Sequence, residues 1–331
     1  MPPFLLLNLF VWAAMGLAIA WGAWGHQHIN RAAVFALPPE MRVFFYNHLD
    51  FITEESVVPD LRKYTINDKA EFNRHFIDIE SFDEKTPEQF PATMAAVTAK
   101  YNADFLQKNG ILPWYIEEVT EKLTTAFRQR RKSDILFLAA DLGHYLADSQ
   151  MPLHTSVNHD GQFTDQKGIH AFWESQLPEQ FGGKYNFNTG DAHYIENIHA
   201  ETWRLIMSSH QQADTLLALE RELKKSFPAE KIYVKDSAGN IRKNKFNQPV
   251  HGPEYAKLYH DQLQGMVERQ MRSAISATAN FWFTAWVNAG KPDLGSLDPS
   301  SLTGRNRKFL KRDYKFWKKG QLFGLQADWE F

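Results

Sequence analysis

The sequence predicts an all-α protein, a multi-helix, bundle-like single domain with one small hairpin-like excursion. Apolar residues recur at three-to-four-residue spacing in segments along the 331-residue chain, as in amphipathic helices. Two pairs of an imidazole and a carboxylate stand four residues apart, so each pair shares one face of a helix. The chain contains no Cys, which excludes disulfides and leaves bound metal as the obvious staple. The length is compatible with one large helical domain and a substantial core.

The N-terminal residues have the pattern of an export signal. Residues 4–20 form an apolar run that ends in Ala18-Ile19-Ala20, a small-x-small pattern of the kind that signal peptidase cuts after. The residues before the run include no Lys or Arg, and the run is nearly long enough to span a membrane, so an uncleaved anchor is the alternative. We predict that residues 1–20 are a signal peptide. The mature chain, periplasmic or secreted, would then begin at Trp21.

Helices are predicted along the first half of the chain. Residues 29–51 alternate apolar and polar positions at helical spacing, with Pro38-Pro39 separating two helices. Residues 86–131 are predicted to form two helices interrupted at residues 110–113. Ser133-Asp134 has the composition of an N-cap for the helix that follows.

The second half continues the helical pattern with one interruption. Residues 192–226 are predicted to be helical. Residues 227–252 break the pattern with an alternating stretch and a Ser-Ala-Gly-Asn turn, which predicts the exposed hairpin-like excursion. Pro253 then opens a predicted helix that runs to about Ala289, before Gly290 and Pro292.

Candidate metal ligands are concentrated in the middle of the chain. His144 and Asp148 stand four residues apart in an apolar helical stretch, and His170 and Glu174 repeat that spacing. His154 lies in the loop between the two pairs. One such pair is common without metal, but three His and two acids at ligand spacing favour a metal site. Nitrogen and oxygen ligands without Cys suit catalytic zinc held between helices.

Two further motifs extend this site. The predicted mature chain begins Trp21-Gly22-Ala23-Trp24-Gly25-His26, and a free α-amine has a pKa near 8, so it can lose its proton to a metal. Asp60 precedes by fifteen residues the string His75-Phe76-Ile77-Asp78. Together these motifs resemble the three-zinc superfamily that joins single-strand-specific fungal and plant nucleases to bacterial zinc-dependent phospholipases C. Members of that superfamily begin with Trp, whose amine and carbonyl bind zinc.

The resemblance implies a phospholipase C/nuclease-like fold and a trinuclear zinc site whose ligands carry over position by position. The first zinc is assigned to Asp60, His75, His144 and Asp148. The second is assigned to the Trp21 terminus, His26 and, as a bridge, Asp148. The third is assigned to His154, His170 and Glu174.

The resemblance also assigns two residues outside the ligand set. Asp78 matches an acid that orients a ligand or the attacking water, so it is the candidate catalytic residue. Phe76 is the candidate substrate-binding residue, as a stacking face, although core packing is the plainer interpretation of an apolar ring. The motifs of the resemblance span residues 21–174. We predict a catalytic domain at residues 21–290, followed by a basic-aromatic C-terminal extension, residues 291–331, which the resemblance does not cover.

The predicted site selects a phosphate ester as substrate. Three zinc ions carry more positive charge than Asp60, Asp148 and Glu174 return, so the site is cationic. Zinc lowers the pKa of bound water toward ~7. The resemblance therefore implies a zinc-dependent hydrolase that cleaves phosphodiester bonds with a zinc-bound hydroxide.

The motifs divide between the two branches of the superfamily. The N-terminal motif and the His75–Asp78 string are nuclease-like, which favours single-stranded nucleic acid. Glu174 and the short spacing from His154 to His170 follow the phospholipase branch, so a phospholipid head group is the alternative substrate. A zinc-stabilised surface or binding protein without turnover is the alternative of another class. No protein partner is implied, and we expect a monomer.

Charge adds one local feature. A net charge of −2 gives no global field for nucleic acid or an anionic membrane, so any attraction is local. Residues 304–320 interleave basic and aromatic side chains. Such a mixture suits single-stranded nucleic acid, an anionic membrane surface or a solvated tail whose rings pack on the domain.

Overall fold

The computed structural model describes residues 22–84, 86–245 and 247–325. Within these ranges the chain is built from helices and short turns, with isolated β-bridges and no sheet. The predicted all-α class is confirmed. The predicted signal peptide and Trp21 lie outside the described residues.

The helices are numbered in chain order. Their bounds are α1 (Gly22–Ala36), α2 (Pro39–Asn47), α3 (Leu49–Glu55), α4 (Val58–Tyr64), α5 (Lys69–Phe72), α6 (Met94–Lys100), α7 (Ala103–Asn109), α8 (Leu112–Arg128), α9 (Lys132–Asp148), α10 (Ile169–Ala171), α11 (Leu177–Phe181), α12 (Ile198–Ser226), α13 (Pro253–Gln262), α14 (Met266–Asn288) and α15 (Ser300–Trp317). No helix in the described ranges has both the length and the apolar character needed to span a bilayer.

Helices α1, α8, α9 and α14 pack together at the centre of the domain. Trp282 of α14 is fully buried, stacks on Phe45 with ring centroids 5.0 Å apart, and donates its indole N–H to the Ala139 carbonyl at 2.9 Å. Burying an indole requires such a partner for its N–H, and the bond fixes α14 against α9. Two of these central helices, α1 and α9, carry candidate ligands, and their packing holds those ligands in place.

Gly143 allows α1 to approach α9 closely. A Cβ atom at this position would lie 1.9 Å from the Asn30 side-chain oxygen. The Asn30 amide instead donates to the Ala140 carbonyl at 3.0 Å, which ties the two helices together. As a result, His26 on α1 stacks on His144 of α9 with ring centroids 3.8 Å apart. The close contact brings two candidate ligands from distant parts of the sequence into one site.

Several predicted helix boundaries are wrong. The helix predicted from Pro253 to about Ala289 is two helices, because Gln264 and Gly265 adopt positive φ angles of 49° and 77°. The region 86–131 contains three α-helices instead of two, because the chain before residue 110 forms two helices, one capped by the side chain of Thr93 and the other by that of Asn102.

Two other helix starts differ by a few residues. Helix α9 begins at Lys132, so Ser133-Asp134 lies in its first turn instead of capping it. Helix α12 begins at Ile198, where the side chain of Asn197 accepts the Ala200 N–H, instead of at residue 192. In both cases apolar periodicity located the helix; the side chain of Asn197 caps the start of α12, whereas no side chain in the described ranges caps the start of α9.

The predicted hairpin-like excursion is present between α12 and α13. It contains three antiparallel bridges, Tyr233 with His251, Lys235 with Ile241 and Lys243 with Pro249. After α14 the chain returns to the domain as α15, which packs on α2.

Candidate metal centre

The structure brings eight of the predicted ligands together in three buried clusters. In each cluster the ligand atoms lie within 4.8 Å of one another. The clusters are His26, His144 and Asp148; Asp60, His75 and His144; and His154, His170 and Glu174. The ninth predicted ligand, Trp21, immediately precedes the described residues. The assignment by resemblance and the geometry differ at one point, since His144 adjoins the His26 cluster as well as the Asp60 cluster.

The Asp148 carboxylate lies between the three clusters. One oxygen, Oδ2, is 3.0 Å from His75 Nδ1 and 3.3 Å from His144 Nε2. The other, Oδ1, is 3.6 Å from His26 Nε2 and 3.5 Å from His154 Nδ1. Although burial opposes the shift, the charges of His144 and His154 hold the pKa of Asp148 well below its usual range. Asp148 is therefore an ionised carboxylate whose two oxygens face imidazoles of all three clusters, and it would be a ligand if these clusters hold metal.

Several candidate ligand atoms are buried without a hydrogen-bond partner in the part of the chain that the structure describes, as expected for atoms that bind a cation. Asp60 Oδ1 is 3.7 Å from His75 Nδ1 and 3.9 Å from His144 Nε2, too far for hydrogen bonds. Within the described residues both Asp60 carboxylate oxygens, Asp148 Oδ1 and His154 Nδ1 are buried without a hydrogen-bond partner. Leaving buried polar atoms unsatisfied costs about 1–3 kcal/mol each. A divalent cation at these positions satisfies them, so the residues present fit the implied metals.

Backbone carbonyls orient two of the imidazoles. His144 donates its Nδ1–H to the Ser56 carbonyl at 2.8 Å, and His170 donates its Nδ1–H to the His159 carbonyl at 2.6 Å. Each bond fixes the tautomer and leaves the Nε2 lone pair facing its cluster. The loops that supply these carbonyls are therefore part of the site.

His75 is oriented in the opposite sense, by Glu71. Its Nδ1 faces the cluster, and its Nε2 lies 3.4 Å from Glu71 Oε1. Glu71 Oε2 accepts hydrogen bonds from Arg62 Nε and Arg74 Nη1, both at 3.0 Å, and the Tyr145 hydroxyl donates to Oε1. Although burial disfavours the ionised form, these neighbours hold the pKa of Glu71 well below its usual range. A fixed carboxylate behind His75 increases the basicity of the nitrogen that faces the metal.

Glu71→Ala is expected to weaken metal binding at the His75 cluster by about ten- to a hundredfold, because His75 loses the group that orients it. Competition with a chromophoric chelator measures this affinity. Asp141→Asn is the matched control. Asp141 pairs with the same Arg62 at 2.7 Å, but Glu71 is the carboxylate that lies next to His75. Equal metal affinity in Glu71→Ala and wild type would show that Glu71 does not position His75.

The His170–Glu174 pair lies on a helix interrupted by a π-helical turn. Helix α10 continues into a π segment, Phe172–Gln176, before α11. Pro178 has no N–H to donate to the Glu174 carbonyl, which removes one α-helical bond at this point. In this geometry Glu174 Oε2 is 3.1 Å from His170 Nε2 and 3.7 Å from His154 Nε2. The predicted spacing is present, and the π turn was not predicted.

Asp78 lies on a short extended segment beside the clusters. Its N–H donates to the Asn109 carbonyl at 2.8 Å, and the Ile77 N–H donates to the His154 carbonyl at 2.8 Å. Gly110, with φ of 84°, makes this pairing possible because a Cβ there would lie 2.0 Å from the Phe76 carbonyl oxygen. Burial raises the pKa of Asp78 to about 7, with the charge of Glu80 adding to the shift. The carboxyl group therefore titrates in the range useful to a proton acceptor.

The predicted substrate-binding residue, Phe76, forms part of an aromatic and cationic rim. Its half-buried ring packs edge-to-face on Phe72, with centroids 5.5 Å apart. Phe72 is 46% exposed. Lys63 Nζ lies 5.3 Å from the Phe72 ring and 4.6 Å from the Tyr64 ring. Nothing in the spacing of Phe72 and Lys63 indicated that they would meet near Phe76.

The fold and the site together define a helical protein with a candidate trinuclear metal centre. A family model described as S1/P1 nuclease matches residues 21–276, which is most of the chain. The chain therefore belongs to the S1/P1 nuclease family, and the predicted resemblance is confirmed. No individual curated protein matches the sequence.

Membership in this family fixes the general activity. The chain is a phosphodiester hydrolase of the nuclease type, and nucleic acid is its substrate class. The match gives the phospholipase alternative no support, and it counts against a binding protein without turnover. Residues 277–331, including α15, lie beyond the matched region.

Proposed function

We propose that the protein is a zinc-dependent nuclease that hydrolyses phosphodiester bonds in single-stranded nucleic acid. The position of Asp148 carries this proposal: its two oxygens face ligands of all three clusters at 3.0–3.6 Å. One carboxylate in that position would hold neighbouring cations, which would supply Lewis-acid chemistry to a phosphate ester.

Zinc is the proposed metal because the ligands are imidazoles and carboxylates at buried positions without Cys. When bound, zinc lowers the pKa of a water ligand toward ~7 and polarises phosphoryl oxygens. The residues that would hold it are Trp21, His26, Asp60, His75, His144, Asp148, His154, His170 and Glu174. Three zinc ions would carry more positive charge than the carboxylates of Asp60, Asp148 and Glu174 return. The loaded site would therefore be cationic, which favours an anionic phosphodiester.

Asp78 and the aromatic rim supply the remaining functions. Asp78 orients the attacking water and accepts its proton, which a carboxyl group with a pKa of about 7 can do near neutral pH. Phe76 and the exposed Phe72 offer stacking faces to an unpaired base. A base within a duplex is not free to stack in this way, so the rim favours single strands.

A cleft next to Asp78 offers room for the nucleotides that adjoin the scissile phosphate. It has a volume of about 450 Å³ and is lined by Ser81, Asn102, Asp104, Phe105, Lys108 and Asn109. The cation of Lys108 also opposes the pKa shift of Asp78, which places its charge near that carboxyl group. A phosphate next to the scissile one meets a positive side chain here.

The N-terminal part of the proposal concerns export. The family match begins at residue 21, five residues before His26, and the apolar run of residues 4–20 ends in Ala18-Ile19-Ala20. These observations support cleavage after Ala20 and a mature, periplasmic or secreted chain whose Trp21 amine binds zinc. N-terminal sequencing of the exported protein is expected to read Trp21 first. A chain that retains Met1 would contradict this part of the proposal.

Asp78→Asn is expected to reduce kcat by about ten- to a hundredfold while zinc content is unchanged, because a residue beside the metal is altered and no ligand is lost. Wild-type Asp78 is protonated below a pH of about 7, so the plot of log kcat/KM against pH should be one unit less steep on its acid side in the variant. Bound cations lower that pKa, which moves the limb toward more acidic pH. Asp104→Asn, an exposed acid of the neighbouring cleft, is the control. An unchanged rate and slope in Asp78→Asn would assign Asp78 to the scaffold.

The substrate is tested with the processed, zinc-loaded protein on single-stranded DNA, single-stranded RNA, duplex DNA and phosphatidylcholine micelles, each with a chelated control. Cleavage of the single strands at least about tenfold faster than the duplex is expected. Cleavage of lipid alone would overturn the proposed substrate. Equal rates on single strands and duplex would remove the role given to Phe72 and Phe76.

A further inference from the structure

Helix α15 concentrates positive charge that the rest of the chain lacks. Residues 304–320 contain eight Lys and Arg side chains and one acid, Asp313, for a net charge of +7. The whole chain carries −2, so the remainder carries −9. Nucleic acid is a polyanion, so the net negative charge of the rest of the chain repels it. The net positive charge of residues 304–320 attracts it.

One side of α15 packs against the domain. Trp317 is fully buried and donates its indole N–H to the Phe187 carbonyl at 2.9 Å. The Tyr46 hydroxyl donates to the buried Asp313 at 2.6 Å, and the Arg42 guanidinium lies 4.0 Å above the Tyr314 ring. These contacts fix which side of α15 faces outward.

The outward side carries a stripe of like charges. Its members recur every three or four residues and are all exposed: Arg305, Lys308, Arg312, Lys315 and Lys319. With a rise of 1.5 Å per residue, Arg305 and Lys315 are about 15 Å apart along the axis. Within the described residues Arg312 pairs with Asp313, and no other member of the stripe forms an ion pair. Like charges at these spacings destabilise a helix, so the stripe is suited to an external anion.

We propose that this stripe binds the phosphate backbone of single-stranded nucleic acid outside the metal centre. The inference rests on the proposed function, because it concerns the same substrate. A span of about 15 Å covers roughly four phosphates at the 3.4 Å per strand of stacked DNA. The stripe would retain a long strand between cleavage events, whereas a dinucleotide is shorter than the roughly four phosphates that the stripe spans.

The surroundings of the stripe favour nucleic acid over a membrane. A helix that lies on a membrane inserts its apolar face into lipid. On α15 Trp317 is fully buried in the domain, and Leu310 and Tyr314 pack partly buried against it.

The aromatic rings that remain outside, Phe309 and Phe323, are 46% and 41% exposed. Arg312 lies over both rings, 5.3 Å from Phe309 and 4.2 Å from Phe323. Phe323 also stacks on Phe316, with ring centroids 5.2 Å apart. Exposed rings beside cations are the elements with which proteins stack and hold unpaired bases.

The test uses the triple variant Arg305→Gln, Lys308→Gln and Lys315→Gln in the zinc-loaded protein. Fluorescence anisotropy measures binding of a phosphorothioate single strand, which resists hydrolysis, at several salt concentrations. Each phosphate contact contributes about 0.7 to the slope of log K against log salt for single strands, so the slope should become less steep by about 2. Arg312 is left in place because its Asp313 partner anchors the helix.

The matched control removes the same charge from other helices. Lys122→Gln, Lys225→Gln and Lys257→Gln break surface ion pairs on α8, α12 and α13. This triple variant should keep the wild-type slope. Both triple variants should cleave a dinucleotide at the wild-type rate, since neither changes the metal centre.

An unchanged slope in the α15 variant would overturn the proposal, as would an equal change in the control. Binding to phosphatidylserine vesicles that depends on the stripe, without binding to the single strand, would also overturn it in favour of a membrane contact. If the triple variant melts earlier than wild type, Lys308→Gln alone should reduce the slope by about 0.7. Failure of the proposed function is separate, because it appears as no cleavage of an unmodified strand by wild type.

Discussion

Replacing Asp148 with Asn is expected to lower kcat/KM on single-stranded DNA by at least about a thousandfold. The carboxylate lies between the three clusters, with its oxygens 3.0 Å from His75 Nδ1 and 3.6 Å from His26 Nε2. An amide keeps the size of the side chain but loses the charge and one acceptor, so neighbouring cations lose their shared ligand. Metal ions contribute several kcal/mol to such reactions, and each 1.36 kcal/mol is tenfold in rate.

Elemental analysis of the same variant is expected to show fewer zinc ions per chain than wild type. Asp134→Asn is the matched control, because Asp134 is a half-buried acid in the first turn of the same helix, α9, where it pairs with Arg131 at 3.0 Å. That control should retain wild-type zinc content and rate. Full zinc content in Asp148→Asn would show that Asp148 is not a ligand.

Removal of zinc by a strong chelator is expected to lower the apparent Tm by at least about 10 °C. Zinc whose dissociation constant lies about a thousandfold below its free concentration stabilises a protein by about 4 kcal/mol per site. Each kcal/mol shifts Tm by roughly 2–4 °C in a domain of about 150–250 residues, and by less in a longer chain. Without cations, the buried oxygens of Asp60 and Oδ1 of Asp148 have no hydrogen-bond partner among the described residues. Calorimetry before and after chelation measures the shift.

The control for chelation is selective restoration. Zinc should restore the Tm, whereas Mg²⁺ and Ca²⁺ should not, because they prefer all-oxygen ligands to imidazole. Asp148→Asn should show a smaller chelation shift than wild type, since it starts with fewer ions. An identical Tm with and without chelator would contradict a metal that contributes to the fold.

The four-residue spacing of ligands along one helix predicted the pairs that a single helical segment brings together. His144 with Asp148, and His170 with Glu174, share helical faces, and the structure places both pairs as their spacing requires. Asp60 and His75 could not be joined to them by spacing, because a loop and several helices intervene. The resemblance to a known family supplied that connection, and the structure then showed the distances.

Other features of the site depend on tertiary contacts that periodicity does not encode. Glu71 lies four residues before His75, yet α5 has only four residues and no apolar repeat that would mark it. The contact between His26 and His144 depends on the absence of a side chain at Gly143, which lets α1 approach α9 closely. The break between α13 and α14 follows from two positive φ angles, at Gln264 and Gly265, in an otherwise uninterrupted helical pattern.

The most direct test of the central claim is a zinc titration of the processed, chelated protein, with bound zinc and cleavage of single-stranded DNA measured on the same samples. Cleavage is expected to be absent without metal and to rise until three zinc ions are bound per chain, one for each buried cluster. Full cleavage by protein that contains no zinc would contradict the proposed mechanism, and saturation at one ion per chain would contradict the trinuclear site.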